Sequence, residues 1–381
     1  MATYKVVDAD QLNADMTSVA DSIRTKGGTT EALAWPDGYK TAIEAIQTGG
    51  GGGSTSEPLD PVEVYNNTRP ADWMPMPTPA ENEMYLLFHI PDGVSSLLAF
   101  TVTCTGNYTV ALGTVSGGSF VASSSVDIAS GSKYETELFA DDYGNLTSDG
   151  HKQVMVKVSG TDILTWVPST HSKKTSPSNF AGWNIVEIAC RLPSGTRVVC
   201  GSGNENQALK KLRYFVWYGK NAVTFAEVMF GNCYSLTAIP QLDTSAVTAM
   251  GGMFLGCTSL TAIPQLDTSA AEDMGSMFSG CYSLTAVPQM DTSAVTNMGS
   301  MFNYCYSLTA IAFNGSVTGW AGYAVSLKDC SLGHAAIVAF FNSLPTITSA
   351  KAITLTGNPG VSELTDAEKA IATGKGWTLT L

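Results

Sequence analysis

The side chains that could do chemistry in this sequence are eight cysteines, four histidines and a set of acids that recur at fixed intervals. Cys233, Cys257, Cys281 and Cys305 return every 24 residues, which is the spacing of a repeat and not of a cross-linked loop. Free Cys is a small, readily buried apolar side chain, so the four read as a structural ladder of buried thiols. No Cys-x-x-Cys or paired His spacing supports a zinc site. His89, His151, His171 and His334 are scattered and suggest neither a catalytic triad nor a metal site. A glycan-cleaving enzyme needs two carboxylates about 5 to 9.5 Å apart in a cleft. Glu135, Glu137, Asp141 and Asp142 are the obvious acidic cluster before the repeats, while Asp243, Asp267 and Asp291 recur for structural reasons. The segment Asp141-Asp142-Tyr143-Gly144-Asn145, continuing to Asp149, has the oxygen ligands of a Ca²⁺ loop but not the spacing or closing Glu of an EF-hand. A solvated turn is the preferred reading there. No catalytic residue, cofactor or metal is expected.

Binding suits the pattern better. Tyr234, Thr258, Tyr282 and Tyr306 form one row at the repeat spacing, Gln241, Gln265 and Gln289 a second, and Thr248, Glu272 and Thr296 a third. Tyr combines an apolar ring with a polar tip, and rings beside amides suit contacts to sugar or protein. Candidate contact residues are therefore Tyr234, Tyr282, Tyr306, Gln241, Gln265, Gln289 and Glu272. The competing reading is that the tyrosines only cover a convex turn.

The elements that must position these rows follow from the period. Met229-Phe230 opens a series ending Asp243-Thr244-Ser245-Ala246-Val247-Thr248-Ala249-Met250; the series returns at Met253-Phe254, at Met277-Phe278 and, truncated, at Met301-Phe302. A period of 20 to 29 with Leu-x-x-Ile-x-x-Leu is the leucine-rich-repeat pattern, one short strand plus a turn or short helix per coil. The expectation is a solenoid over 201–330, with Leu236, Leu260, Leu284 and Leu308 in one column and Phe230, Phe254, Phe278 and Phe302 in another. Asp and Ser in each Asp-Thr-Ser are expected to bond nearby backbone amides. Residues 331–381 should cap the array: a helix around Ala335–Phe341, a strand at Ile353–Leu355, a capping box at Thr365–Glu368 opening another helix, and a strand from Trp377.

Ahead of the repeats, residues 58–200 alternate short apolar runs with turn signals such as Pro91-Asp92-Gly93 and Ser116-Gly117-Gly118. They predict an all-β sandwich of jelly-roll or immunoglobulin-like kind. Residues 1–48 read as two short helices, too small to be stable alone, hence an attachment or oligomerisation module. Residues 49–57, with five consecutive glycines, form a flexible tether spanning roughly 17 Å.

The chain has 381 residues, only 14% of them charged, and a formal charge of −13, so the basic surface of a nucleic-acid binder is missing. Between Met229 and Ala312 there is no Lys or Arg, and five acids carry the whole charge. The start lacks a signal peptide and no window suits a membrane span, so manufacture in a cytosol without membrane insertion is expected.

The repeats, with Met-Phe, Gly-Cys, Ser-Leu and Asp-Thr-Ser-x-Val-Thr-x-Met at fixed offsets, resemble the BspA-like leucine-rich-repeat family and its mycoplasma-lipoprotein-type short repeats. The segment from Leu364 to Thr378 is similar to the cap of such arrays. Thr17 to Gly28, followed by Trp35-Pro36-Asp37-Gly38-Tyr39, looks like an N-terminal module of tail proteins from phages and prophages of Gram-positive bacteria. The resemblance implies a virion tail fibre or receptor-binding protein, joined to other tail or baseplate proteins through residues 1–48, self-associating as a homotrimer, and recognising a host-surface glycan or protein. The alternatives are a bacterial surface adhesin, a purely structural tail or baseplate protein, and a depolymerase.

Overall fold

The computed structural model describes residues 69–144, 146–168, 184–203, 208–218, 222–311, 313–314 and 324–381. The expected helical anchor and glycine tether lie outside the described residues. Strands dominate the rest, in mixed sheets, with two α-helices among the described residues.

The expected two-layer sandwich is not formed as two sheets. The strands β1 (Glu83–Pro91), β2 (Ser95–Ser116), β3 (Ser119–Ala129), β4 (Lys133–Phe139), β5 (His151–Pro168), β6 (Ile185–Arg191), β7 (Arg197–Val198) and β8 (Tyr214–Trp217) join one eight-stranded mixed sheet. Its main order is β3-β2-β5-β1-β6-β8; β4 pairs with β2 and β7 with β5. The reason is strand length. The runs Leu97–Cys104 and Tyr108–Leu112, expected as separate strands, merge into the 22-residue β2. Gly106, with φ +74°, lets the chain bend there and not reverse, and the register against β5 breaks on both sides of Thr105. The first half of β2 then pairs with β4 and the second half with β3.

Alternation along β1 sorts its side chains between two cores. Met84, Leu86, Phe88 and Ile90 enter the large core, while Tyr85 and Leu87 enter a smaller one with Met155, Val186, Tyr214 and Val216. The segment after Arg69 covers that second face with Trp73 and Met74. It is fixed by the buried Gln153, whose Oε1 accepts the Met74 N–H and whose Nε2 donates to the Asp72 carbonyl at 3.3 Å. Arg69 Nε completes the attachment, 2.9 Å from Oε2 of the fully buried Glu187.

The sheet runs into the repeats. β8 pairs in parallel with β6, and Phe215 on β8 meets Phe230 edge to face at 5.2 Å. Beyond it, the repeats stack at their 24-residue period. Phe230, Phe254, Phe278 and Phe302 form one buried column of nearly parallel rings, 5.8, 5.6 and 5.6 Å apart. Phe230 N–H donates to the Met253 carbonyl at 2.9 Å, and Phe254 N–H to that of Met277 at 2.9 Å.

These repeats do not build the leucine-rich-repeat solenoid that the period suggests. Across residues 222–311 there is no helix; the regular pairing there is the two-residue parallel contact of β9 (Met290–Asp291) with β10 (Phe313–Asn314), beside isolated bridges such as Ala249 to Asp273. Turns do the rest. Two left-handed positions recur in every repeat: Val228, Gly252, Ser276 and Ser300 at one, and Asn232, Gly256, Gly280 and Tyr304 at the other. They bracket the Met-Phe pair, and no α-helix can run through residues of positive φ. The position that would carry the strand ends in Pro240, Pro264 and Pro288, which have no N–H for a ladder.

The C-terminal elements form where the sequence places them. Helix α1 (His334–Ser343) lies in the chain between β11 (Val325–Ser326) and β12 (Lys351–Thr354), which form a parallel sheet with β13 (Trp377–Thr380). Helix α2 (Asp366–Thr373) opens on a complete capping box between Thr365 and Glu368.

Candidate recognition surface of the repeats

Each repeat is tied to the next through the residues that recur. The thiols of Cys257, Cys281 and Cys305 donate to the carbonyls of Phe230, Phe254 and Phe278, each at 3.1 Å. All four ladder cysteines are buried and unpaired with one another, and burial pushes their thiols up. Buried Thr244 and Thr268 donate to the carbonyls of Asp267 and Asp291 at 2.7 and 2.8 Å. The Asp-Thr-Ser turns close as expected: Asp243 Oδ1 accepts from the backbone and hydroxyl of Ser245, and Asp267 Oδ1 does the same with Ser269.

Along this seam runs a groove of about 600 Å³ lined by Gln241, Gln265 and Gln289 with Asp243, Asp267 and Asp291 and the threonines between them. The glutamines have a second task. Gln265 Nε2 donates to the Gln289 carbonyl at 2.8 Å and to its neighbour Leu266 at 3.1 Å, and Gln241 repeats both contacts one repeat earlier. The groove is thus a polar strip held in register by its own side chains. Ser269 holds the Asp267 carboxyl below its ordinary range.

The tyrosines lie outside this groove. Tyr282 and Tyr306 are 46% and 49% exposed with ring centres 5.1 Å apart, so the row presents open aromatic surface. Tyr304 joins them, 43% exposed and edge-on to Tyr306 at 6.1 Å. Sequence reasoning missed Tyr304 because its position holds Asn232, Gly256 and Gly280 in the other repeats. Tyr234 is half-buried, with Lys210 Nζ 5.4 Å from its ring, and Thr258 separates it from the other two. Glu272 is exposed and lines neither feature; its carbonyl accepts from Thr296 N–H at 2.8 Å.

The remaining acids and histidines fall differently from their order in the sequence. Glu135 pairs with Lys133, and Glu137 accepts from Ser95 Oγ. Asp141 and Asp142 are exposed in a short turn, whereas Asp149 turns toward the histidines. His89 on β1 pairs in register with Gln153, which puts His151 two residues along β5 on the same face, ring centres 5.6 Å apart. The turn at 147–151 brings Asp149 Oδ1 to 3.1 Å from His151 Nδ1, outside hydrogen-bond alignment. Burial, with His151 second, pulls His89 down to about 4, so its ring is neutral at pH 7. The Asp149 carboxyl is held low, first by the Thr147 hydroxyl.

Comparison with curated proteins and with solved structures returns no match. Residues 222–334, the stacked repeats and the chain leading to α1, match the model of the family described as Mycoplasma protein of unknown function, DUF285.

Proposed function

We propose that this chain is a non-enzymatic receptor-binding protein of a phage or prophage tail, attached to the virion through residues 1–48 and contacting the bacterial surface through its repeats. The observation that carries the reading is the groove of Gln241, Gln265, Gln289 and their aspartates, because it sets the same side-chain amides and carboxylates at equal intervals. A polymer with its own repeat, such as a surface glycan, presents matching groups at equal intervals. The exposed patch of Tyr282, Tyr304 and Tyr306 supports it, since aromatic rings with polar tips suit sugar faces and protein surfaces alike. Asp267, held below its usual range by Ser269, offers an ionised carboxylate that can accept hydrogen bonds from sugar hydroxyls.

Two measurements test this. Immunogold labelling with antibody to the chain, on particles from a lysate of the encoding bacterium, should decorate tail tips; label on intact cell walls and none on particles would overturn the virion assignment. Fluorescently labelled full chain should adsorb to those cells, with Y282A/Y306A and D267N each reducing adsorption at least about fivefold while the fold is kept. Equal adsorption by all three proteins would remove recognition from the repeats.

A further inference from the structure

We propose that His89, Asp149 and His151 form a binding site for a divalent first-row transition metal, with Zn²⁺ as the ion of choice. Each of the three offers a ligand atom within 4.8 Å of the other two. Two imidazoles and one carboxylate are the donors that zinc, copper, nickel and non-haem iron prefer, and they are too few and too nitrogen-rich for Ca²⁺ or Mg²⁺.

An independent feature points the same way. His89 is 3% exposed, yet its Nε2 is buried with no hydrogen-bond partner among the described residues, while the buried Nδ1 of His151 has the Asp149 carboxylate 3.1 Å away. Buried polar atoms in native proteins are normally satisfied, so the orphaned His89 nitrogen beside a second imidazole and a carboxylate requires a reason. A metal ion supplies it: in the tautomer with the proton on Nδ1, His89 Nε2 directs a lone pair into the cluster that an ion can accept.

The geometry is close to that of a bound state. Zn–N bonds of about 2.0 to 2.1 Å in a tetrahedron put ligand atoms about 3.3 Å apart. The Asp149–His151 pair is already at 3.1 Å. The separations up to 4.8 Å need the half-exposed His151 ring and the exposed Asp149 to close on the fixed His89 ring, which strand β1 and the Trp73 edge at 4.8 Å hold in place. Three protein ligands leave one tetrahedral position open for water or for a group from a partner. Two other charges act on the cluster. Asp72, whose Oδ2 accepts from Ser148 N–H at 2.7 Å, favours a cation, and Lys211 opposes one. The bound ion would join β1, the 147–151 turn and, through Asp72 beside Ser148, the segment lying over the second core.

The test uses the full chain without an affinity tag, stripped with chelator and titrated calorimetrically with ZnCl₂. One equivalent should bind, and cobalt should bind with the visible absorption of a four-coordinate Co²⁺ site lacking thiolate charge-transfer bands. H151Q and D149N change residues outside the core and should keep the circular dichroism of the parent while weakening zinc binding at least about 100-fold. About a thousandfold excess of Ca²⁺ should leave zinc binding unchanged. The assignment is overturned by any of three results: no stoichiometric zinc binding by the parent chain, undiminished binding by D149N and H151Q, or displacement by Ca²⁺. If H151Q fails to fold, D149N alone decides, since Asp149 is exposed at a turn.

Discussion

Seven of the eight cysteines, Cys190, Cys200, Cys233, Cys257, Cys281, Cys305 and Cys330, have thiols that burial pushes up, Cys330 to about 12. Raising the pH should therefore unfold this protein abruptly. In the unfolded chain a thiol loses its proton near pH 8.5, while the folded chain keeps it. The folded state then binds more protons, and stability falls as pH rises. Below about pH 8 the contribution is fully present. One pH unit above the unfolded value each thiol costs roughly 1.4 kcal/mol, and seven together roughly 10 kcal/mol. That equals the whole stability of a typical domain, about 5 to 15 kcal/mol. Tryptophan fluorescence and circular dichroism, followed in phosphine reductant, should show a steep cooperative transition between about pH 9 and 10.5. C257S removes one titrating group but keeps a donor for the Phe230 carbonyl, and should lower the pH dependence of stability by about one-seventh. A fold that persists unchanged to pH 11, or native thiols that iodoacetamide alkylates at pH 8 as fast as those of the urea-unfolded chain, would refute the reasoning.

Two further outcomes follow from packing. F278A removes the ring between Phe254 and Phe302 and should cost about 3 to 5 kcal/mol in urea unfolding, because the column on either side cannot close without breaking the repeat register. R69M leaves the Glu187 carboxylate buried without its cation and should cost about 3 to 5 kcal/mol at pH 7; the loss should shrink at pH 5, where burial allows that carboxyl to take a proton, and a pH-independent loss would count against the ion pair.

What the sequence made legible was local chemistry. Thr365 and Glu368 state the start of α2 in four residues, and the Asp-x-Ser turns and buried Phe and Cys columns follow from the 24-residue period alone. What stayed hidden depends on partners distant in the chain. Thr105-Gly106-Asn107 reads equally well as a reversal or as a bend, and only pairing with both β3 and β4 decides for the bend. The period is shared between leucine-rich-repeat coils and these turn-built ones; positive φ at Val228, Ser276, Ser300 and Tyr304 is backbone information that non-glycine residues do not advertise. His89 and His151 look unrelated until the antiparallel register of β1 and β5 is known, and Tyr304 breaks the pattern that makes the other tyrosines visible.

The left-handed pairs and carbonyl ladders also bear on how such a chain changes over generations. Neighbouring repeats meet through the same atoms each time: Phe230 N–H finds Met253 as Phe254 N–H finds Met277, and Cys257 finds Phe230 as Cys281 finds Phe254. A gene that lost or gained one 24-residue unit by unequal recombination would present the same joint on both sides of the seam. Array length is thereby free to drift without redesign of the core, and with it the extent of the groove, so selection on binding could act by adding whole units as readily as by exchanging single residues.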